Sequence, residues 1–166
     1  CTYNGDHMSM YAVNASVPKT LVRYIVESVA LKDEILHDVL MDICDTPVSP
    51  ELLPPDKNGK IAQKTEEVLG SYDLHDFFLY QMLRHHDEPK KIYDLACVAF
   101  KDVEKETIKK AITTFYNRFF TQQFKRNCMP DGVKVGTVSV SPRGDLRLPS
   151  EIEFEEFLFG DKQWVI

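Results

Sequence analysis

Apolar positions along this chain recur at helical spacing for most of its length. Leu21, Val22, Ile25, Val26 and Val29 form one stripe, and Ile35, Leu36, Val39, Leu40 and Ile43 form a second. Ser16 ahead of Val17-Pro18 is a plausible cap for the first helix, because a Ser hydroxyl can bond free amides and Pro is tolerated in a first turn. Asp33 and Glu34 suit the positive N-terminal end of the second helix, which should stop by Asp45-Thr46-Pro47. Further on, Asp73 is placed to cap a helix carrying Leu74, Phe77, Phe78 and Leu83, and Glu88-Pro89 opens another with Ile92, Leu95, Ala96 and Ala99. Ile108, Ile112, Phe115 and Phe119, continuing to Phe124, mark a long helix.

Two stretches interrupt this pattern. Residues 46–60 contain four prolines and one glycine, which exclude a continuous helix or a central strand and leave a Pro-rich loop. Pro130-Asp131-Gly132 turns the chain, after which Val133, Val135, Val138 and Val140 alternate as a short extended segment interrupted by Gly136. Ser141-Pro142-Arg143-Gly144-Asp145 reads as a loop, and Ser150 as the cap of a last amphipathic helix using Phe154, Phe157 and Leu158. No repeat, low-complexity tract or heptad seam is present, so the expectation is a mainly helical chain.

Composition narrows the function. The chain has 166 residues, 43% of them hydrophobic and 28% charged, with a net charge of -6 that opposes general attraction to nucleic acid or an anionic membrane. The charge is uneven: Arg118, Lys125, Arg126, Lys134, Arg143 and Arg147 face only Asp131 and Asp145 across their stretch. Cys1, Cys44, Cys97 and Cys128 lack disulfide-framework or zinc spacing and read as reduced, mostly buried thiols. No secretory features accompany them, so the expected location is cytoplasmic. The opening Cys-Thr-Tyr-Asn-Gly-Asp suggests the inside of a longer protein.

Three segments could carry chemistry. Gly5 to Tyr11 places a carboxylate, an imidazole and hydroxyls in one polar loop. Gln122 to Arg126 ends an aromatic helix with two amides and two cations, an arrangement that the helix dipole alone would also favour. Ser141 to Arg147, with Lys134 before it, combines guanidinium forks suited to carboxylate or phosphate with a glycine that permits close backbone approach. Its Arg-Gly-Asp triplet matches a cell-adhesion sequence, a reading that needs an extracellular loop. Neither His85-His86 nor His75-Asp76 has the further ligands of a metal site. No Walker loop, GxGxxG turn or GxSxG elbow is present.

The strings Gly5-Asp6-His7-Met8-Ser9-Met10-Tyr11 through Lys19-Thr20, Asp45 to Leu52, Tyr72 to Tyr80, Phe119 to Arg126 and Ser139 to Asp145 together resemble glutamine-dependent NAD+ synthetases, in that family's order. Asn127, Met129, Val133, Leu146 and Glu151 depart from the expected Ser, Leu, Pro, Trp and Asp. The resemblance implies that residues 1–166 are one structural unit, a C-terminal fragment of the synthetase domain. This would be the helical part of an adenine-nucleotide α-hydrolase-like (PP-loop) α/β domain whose parallel-sheet core is largely missing, with residues 130–149 as a substrate-side loop region.

It further implies an amidation of deamido-NAD driven by ATP and Mg2+, with ammonia from glutamine. Tyr3, Asp6, Ser9, Lys125, Arg143, Asp145 and Arg147 would bind deamido-NAD, and Lys19 and Ser49 would contact ATP. The family's SGGxDS loop, magnesium carboxylates and glutaminase Cys-Glu-Lys set are missing from these residues, so the chain alone should be inactive, with no catalytic residue, metal or cofactor of its own. A homo-oligomer is expected; nucleic acid and membrane partners are not. The competing reading is a helical association module that pairs copies through Phe77, Phe115 and Phe119.

Overall fold

The computed structural model describes residues 9–46 and 70–152. Every regular element among them is helical: α1 (Lys19–Ala30), α2 (His37–Asp45), α3 (Tyr72–Tyr80), a π-helical turn (Gln81–His85), α4 (Pro89–Ala99), α5 (Lys105–Thr121) and α6 (Gln123–Asn127). The mainly helical expectation holds. By its own contacts the chain divides into two compact units, Pro18–Asp76 and Cys1–Val17 with Phe77–Ile166. The Pro-rich loop beyond Thr46 and the helix expected after Ser150 lie outside the described residues.

In the Pro18–Asp76 unit, α1 starts one residue after Pro18, but Ser16 does not cap it. The free amide of Thr20 is taken by Asp76, whose Oδ2 accepts from the Thr20 N–H at 2.9 Å and the Thr20 hydroxyl at 2.6 Å. A carboxylate there also suits the positive end of the helix. Asp33 supplies the corresponding service before α2, its Oδ1 accepting from the amides of Ile35 and Leu36. Arg23 ties α1 to the end of α2, bonding Glu27 at 2.7 Å, the Cys44 carbonyl at 3.0 Å and Asp45 at 3.1 Å. The two helices leave apolar side chains in solvent: Leu21, Ile25 and Val29 along α1, and Val39 and Ile43 along α2. Leu31 and Ile35 in the connection are more exposed still.

The other unit is built on α5. Ile108, Ala111, Ile112, Phe115, Tyr116, Phe119 and Phe120 recur every three to four residues and are all buried, against Ile92 and Ala96 of α4 and the fully buried Phe78 of α3. The rings of Phe78 and Phe115 lie 5.7 Å apart, and those of Phe77 and Phe100 meet edge-on at 5.4 Å. This corrects the association surface expected on Phe115 and Phe119, which are 6% and 7% exposed and already committed to the core. Exposed apolar side chains include those along α1 and α2, with Leu95 and Val98 of α4 and Val133 and Val135 of the loop after α6.

Local starts are mostly where the sequence puts them. Pro89 occupies the first turn of α4. At α3 the cap is Ser71, not Asp73, its hydroxyl accepting from the Asp73 amide at 3.2 Å. The π-helical turn after α3 has no counterpart in the sequence reading; it ends at His86, whose φ of 57° is left-handed. Val133 to Val140 form no strand: among the described residues no strand lies beside them, and the amides of Val135 and Gly136 turn to the Ser16 hydroxyl instead.

Two core substitutions should behave in opposite ways. Phe78→Ala should cost about 3–5 kcal/mol through the cavity it leaves. The Tyr116 hydroxyl, buried with no hydrogen-bond partner among the described residues, is held neutral because burial pushes its pKa up. Tyr116→Phe should therefore keep or raise the melting temperature, since it removes an unpaired buried donor. Urea denaturation of both variants checks this; marked destabilisation by Tyr116→Phe would reveal a partner for that hydroxyl.

Candidate functional site

The basic stretch at the end of α5 divides into an inward and an outward half. The chain breaks at Gln122 and resumes as α6, placing Gln123 in the interior with no exposed surface. Gln123 Oε1 accepts from Arg126 Nε at 2.9 Å and Nη2 at 2.6 Å, while its Nε2 donates to Asn127 Oδ1 at 2.8 Å. Arg126 Nη2 also donates to the Phe119 carbonyl, and the guanidinium lies 4.2 Å above the Phe119 ring centre. Among the described residues it meets only neutral acceptors there, and burial pushes its pKa down to about 10. Asn127 Nδ2 donates to the Leu148 carbonyl at 3.3 Å and to the Ser150 hydroxyl at 2.7 Å, fastening the far end of the next loop to α6.

Of the two adjacent cations, Arg126 is thus structural. Lys125 is the outward one, exposed, 6.0 Å from the Phe124 ring and in no ion pair among the described residues. The amides at 123 and 127, spaced four residues apart, are the signal that sequence reasoning passed over; their pairing needs α6 to form.

The loop after α6 is docked on residues 12–16. The Ala12 amide donates to the Asp131 carbonyl at 2.7 Å. The buried Ser16 hydroxyl accepts from the Val135 amide at 2.6 Å and the Gly136 amide at 3.4 Å, and donates to the Val133 carbonyl at 3.4 Å. Gly132 is required here, since a Cβ would collide with the Ala12 carbonyl oxygen. Ser16, read as a helix cap, is instead the anchor of this loop.

Downstream, the Ser141 carbonyl accepts from the amides of Gly144 at 3.1 Å and Leu146 at 3.3 Å, closing a tight turn whose Leu146 is buried. Arg143, Gly144 and Asp145 project from it and line a cleft of about 240 Å³ with Asp131, Gly132, Lys134, Ser139 and Ser141. Arg143 pairs with Asp131 and donates to the Met129 carbonyl, and Lys134 pairs with Asp145. The two acids of the basic stretch are both used in these pairs. Arg147 is exposed and makes no ion pair among the described residues.

The structure therefore brings Arg143 and Asp145 into one cleft and places Lys125 and Arg147 exposed in the same unit. Ser9 is exposed in a bend. Lys19 opens α1 in the Pro18–Asp76 unit, 5.9 Å from the Tyr72 ring. Tyr3, Asp6 and Ser49 lie outside the described residues. The cysteines Cys44, Cys97 and Cys128 are free and only half-buried. Among the described residues no group of three or more His, Cys, Asp or Glu could hold a metal ion, and no helix is long and apolar enough to cross a membrane.

No family model matches the chain. The glutamine-dependent NAD(+) synthetase of Mycobacterium leprae (strain TN) is 36% identical to it over 170 residues, covering 89% of this chain and 25% of that protein. Proteins of the same name from Mycobacterium tuberculosis (strain ATCC 25618 / H37Rv) and Mycobacterium bovis (strain ATCC BAA-935 / AF2122/97) match with the same identity and coverage. The resemblance read from the motifs is borne out, and the chain spans about a quarter of the length of the curated relatives it matches.

Gly132→Ala should force the loop off residues 12–16 and cost about 1–3 kcal/mol, the usual range for overpacking. The check is hydrogen exchange at the Val135 amide, which should lose protection with a lowered melting temperature. Unchanged protection would show that the Ala12 backbone yields instead.

Proposed function

We propose that this chain is the C-terminal part of the synthetase domain of a glutamine-dependent NAD+ synthetase and supplies substrate-site and lid elements to it. The complete enzyme is read as an ATP-dependent amide ligase of the PP-loop class. The nicotinate carboxylate of deamido-NAD attacks the α-phosphorus of ATP, pyrophosphate leaves, and ammonia released from glutamine displaces AMP to give NAD. ATP and Mg2+ belong to that complete enzyme, and the chain by itself is read as inactive. A cytoplasmic setting and a homo-oligomeric parent complete this reading, without nucleic acid or membrane partners.

The observation that supports it best is the convergence of Arg143, Asp145 and Lys134 on one cleft inside the 130–149 region, in a chain similar to synthetases over 89% of its length. The dinucleotide carries two phosphates, and guanidinium and ammonium groups are the side chains that offset such charge. Lys125 and Arg147 are exposed and make no ion pair among the described residues, so each is available to a phosphate. Asp145, an acceptor when ionised, suits a ligand hydroxyl. Tyr3, Asp6 and Ser9 join this side of the site, and Lys19 and Ser49 the ATP side, on the strength of the resemblance alone. The fastening of Leu148 and Ser150 by Asn127 makes the loop a held element able to cover a ligand.

A second reading, a self-association module, is favoured by one observation: the exposed apolar residues of α1 and α2.

In the complete enzyme, Lys125→Ala should raise KM for deamido-NAD at least tenfold and leave the melting temperature nearly unchanged, as expected for an exposed residue whose ring contact is long. Unchanged KM would remove Lys125 from the site. For the second reading, the chain should sediment as a dimer or larger at micromolar concentration, and Ile25→Lys with Val39→Lys should return it to monomer. A monomeric unmodified chain would dismiss the module.

A further inference from the structure

The cleft at 131–145 holds two cations and two carboxylates, paired one to one: Arg143 with Asp131, and Lys134 with Asp145. Its charges cancel before any ligand arrives. The pairing is built in by two fixed pieces of backbone. Asp131 is set by the bond from the Ala12 amide to its carbonyl and by Gly132 beside it, seated where no larger residue fits. Arg143 is set by the turn closed on the Ser141 carbonyl and by its own bond to the Met129 carbonyl. The pairs are also weak enough to exchange, because the side chains of Arg143 and Asp131 remain 46% and 75% exposed.

We propose that Asp131 is a specificity-determining competitor for Arg143: its carboxylate occupies the guanidinium until a phosphate-bearing ligand displaces it. This rests on reading the cleft as part of the dinucleotide site. A diphosphate presents more charge and more acceptor oxygens than the single carboxylate it replaces, whereas a carboxylate-only or singly charged anion gains nothing by the exchange. The latch thus admits diphosphates and refuses weaker anions. Asp145 acts on Lys134 in the same way, though more loosely, since an ammonium is a point charge without a fixed fork.

The test uses the chain itself and inorganic pyrophosphate, titrated by calorimetry at low ionic strength, with acetate as the weak anion. Asp131→Asn keeps the shape and removes the charge at an exposed position, so circular dichroism should match the parent chain. It should bind pyrophosphate about two- to fivefold tighter, the range an exposed ion pair represents. It should also acquire measurable acetate binding. The gain should vanish in Asp131→Asn with Arg143→Ala, and Asp94→Asn, which removes one charge from the α4 pair with Lys90, should change neither affinity. Equal or weaker pyrophosphate binding by Asp131→Asn, a gain that survives loss of Arg143, or no binding by any variant overturns the latch. The site reading is separate: it fails if Arg143→Ala in the complete enzyme leaves KM for deamido-NAD unchanged, whatever pyrophosphate does here.

Discussion

The Ser16 hydroxyl and the missing side chain of Gly132 hold together stretches more than a hundred residues apart, and the loops of the candidate site hang from that junction. One hydroxyl satisfies the backbone of Val133, Val135 and Gly136, groups that in an isolated extended segment would face water or pair with a strand. Absence of a Cβ at 132 lets the Ala12 backbone approach closely enough for its amide to reach the Asp131 carbonyl. Without this docking, Asp131 and Lys134 would have no fixed relation to the turn that carries Arg143 and Asp145.

A second fastening works from the opposite end. The helical core of α5 gives the site a base, since its buried aromatic rings pack on one another and Phe115 meets Phe78 of α3. α6 extends that base, and its buried Gln123 passes hydrogen bonds from Arg126 to Asn127 and on to Leu148 and Ser150. The 130–149 region is therefore held at both ends, by Ser16 and Gly132 near its start and by Asn127 near its finish. A loop held this way can present charged groups at defined positions while leaving them in solvent, which is what a site for an anionic dinucleotide requires.

Electrostatics follow from which cations are spent inside. Arg126 stacks on Phe119 and bonds neutral oxygens, so its guanidinium is engaged at the helix end. Arg143 and Lys134 are reserved by carboxylates, while Lys125 and Arg147 carry no ion pair among the described residues. A local surplus of positive charge thus exists on α6 and the loop that follows it, within a chain of net charge -6.

Much of the helical framework was legible in the sequence, because a helix with one apolar face carries a period of three to four residues whether or not that face is covered. The stripes of α1, α2 and α5, the Pro89 start of α4 and the clustering of cations near 118–147 could all be read that way. So could the glycine-bearing turn at 143–145. What such periodicity cannot supply is the partner. Ser16 and Asp73 looked like caps because their types suit that role, yet Asp76 caps α1 and Ser71 caps α3, since hydrogen bonds go to whichever group the fold brings within 3 Å or so. The valines of 133–140 alternate like a strand, but alternation only marks a face and strands exist by pairing. Phe115 and Phe119 looked available for association, but both are buried, Phe115 beside Phe78 of α3 and Phe119 under the Arg126 guanidinium. The motifs were enough to establish the likeness to glutamine-dependent NAD+ synthetases; which cations are buried, which are latched and which stand exposed was decided by tertiary contacts between residues far apart in the chain.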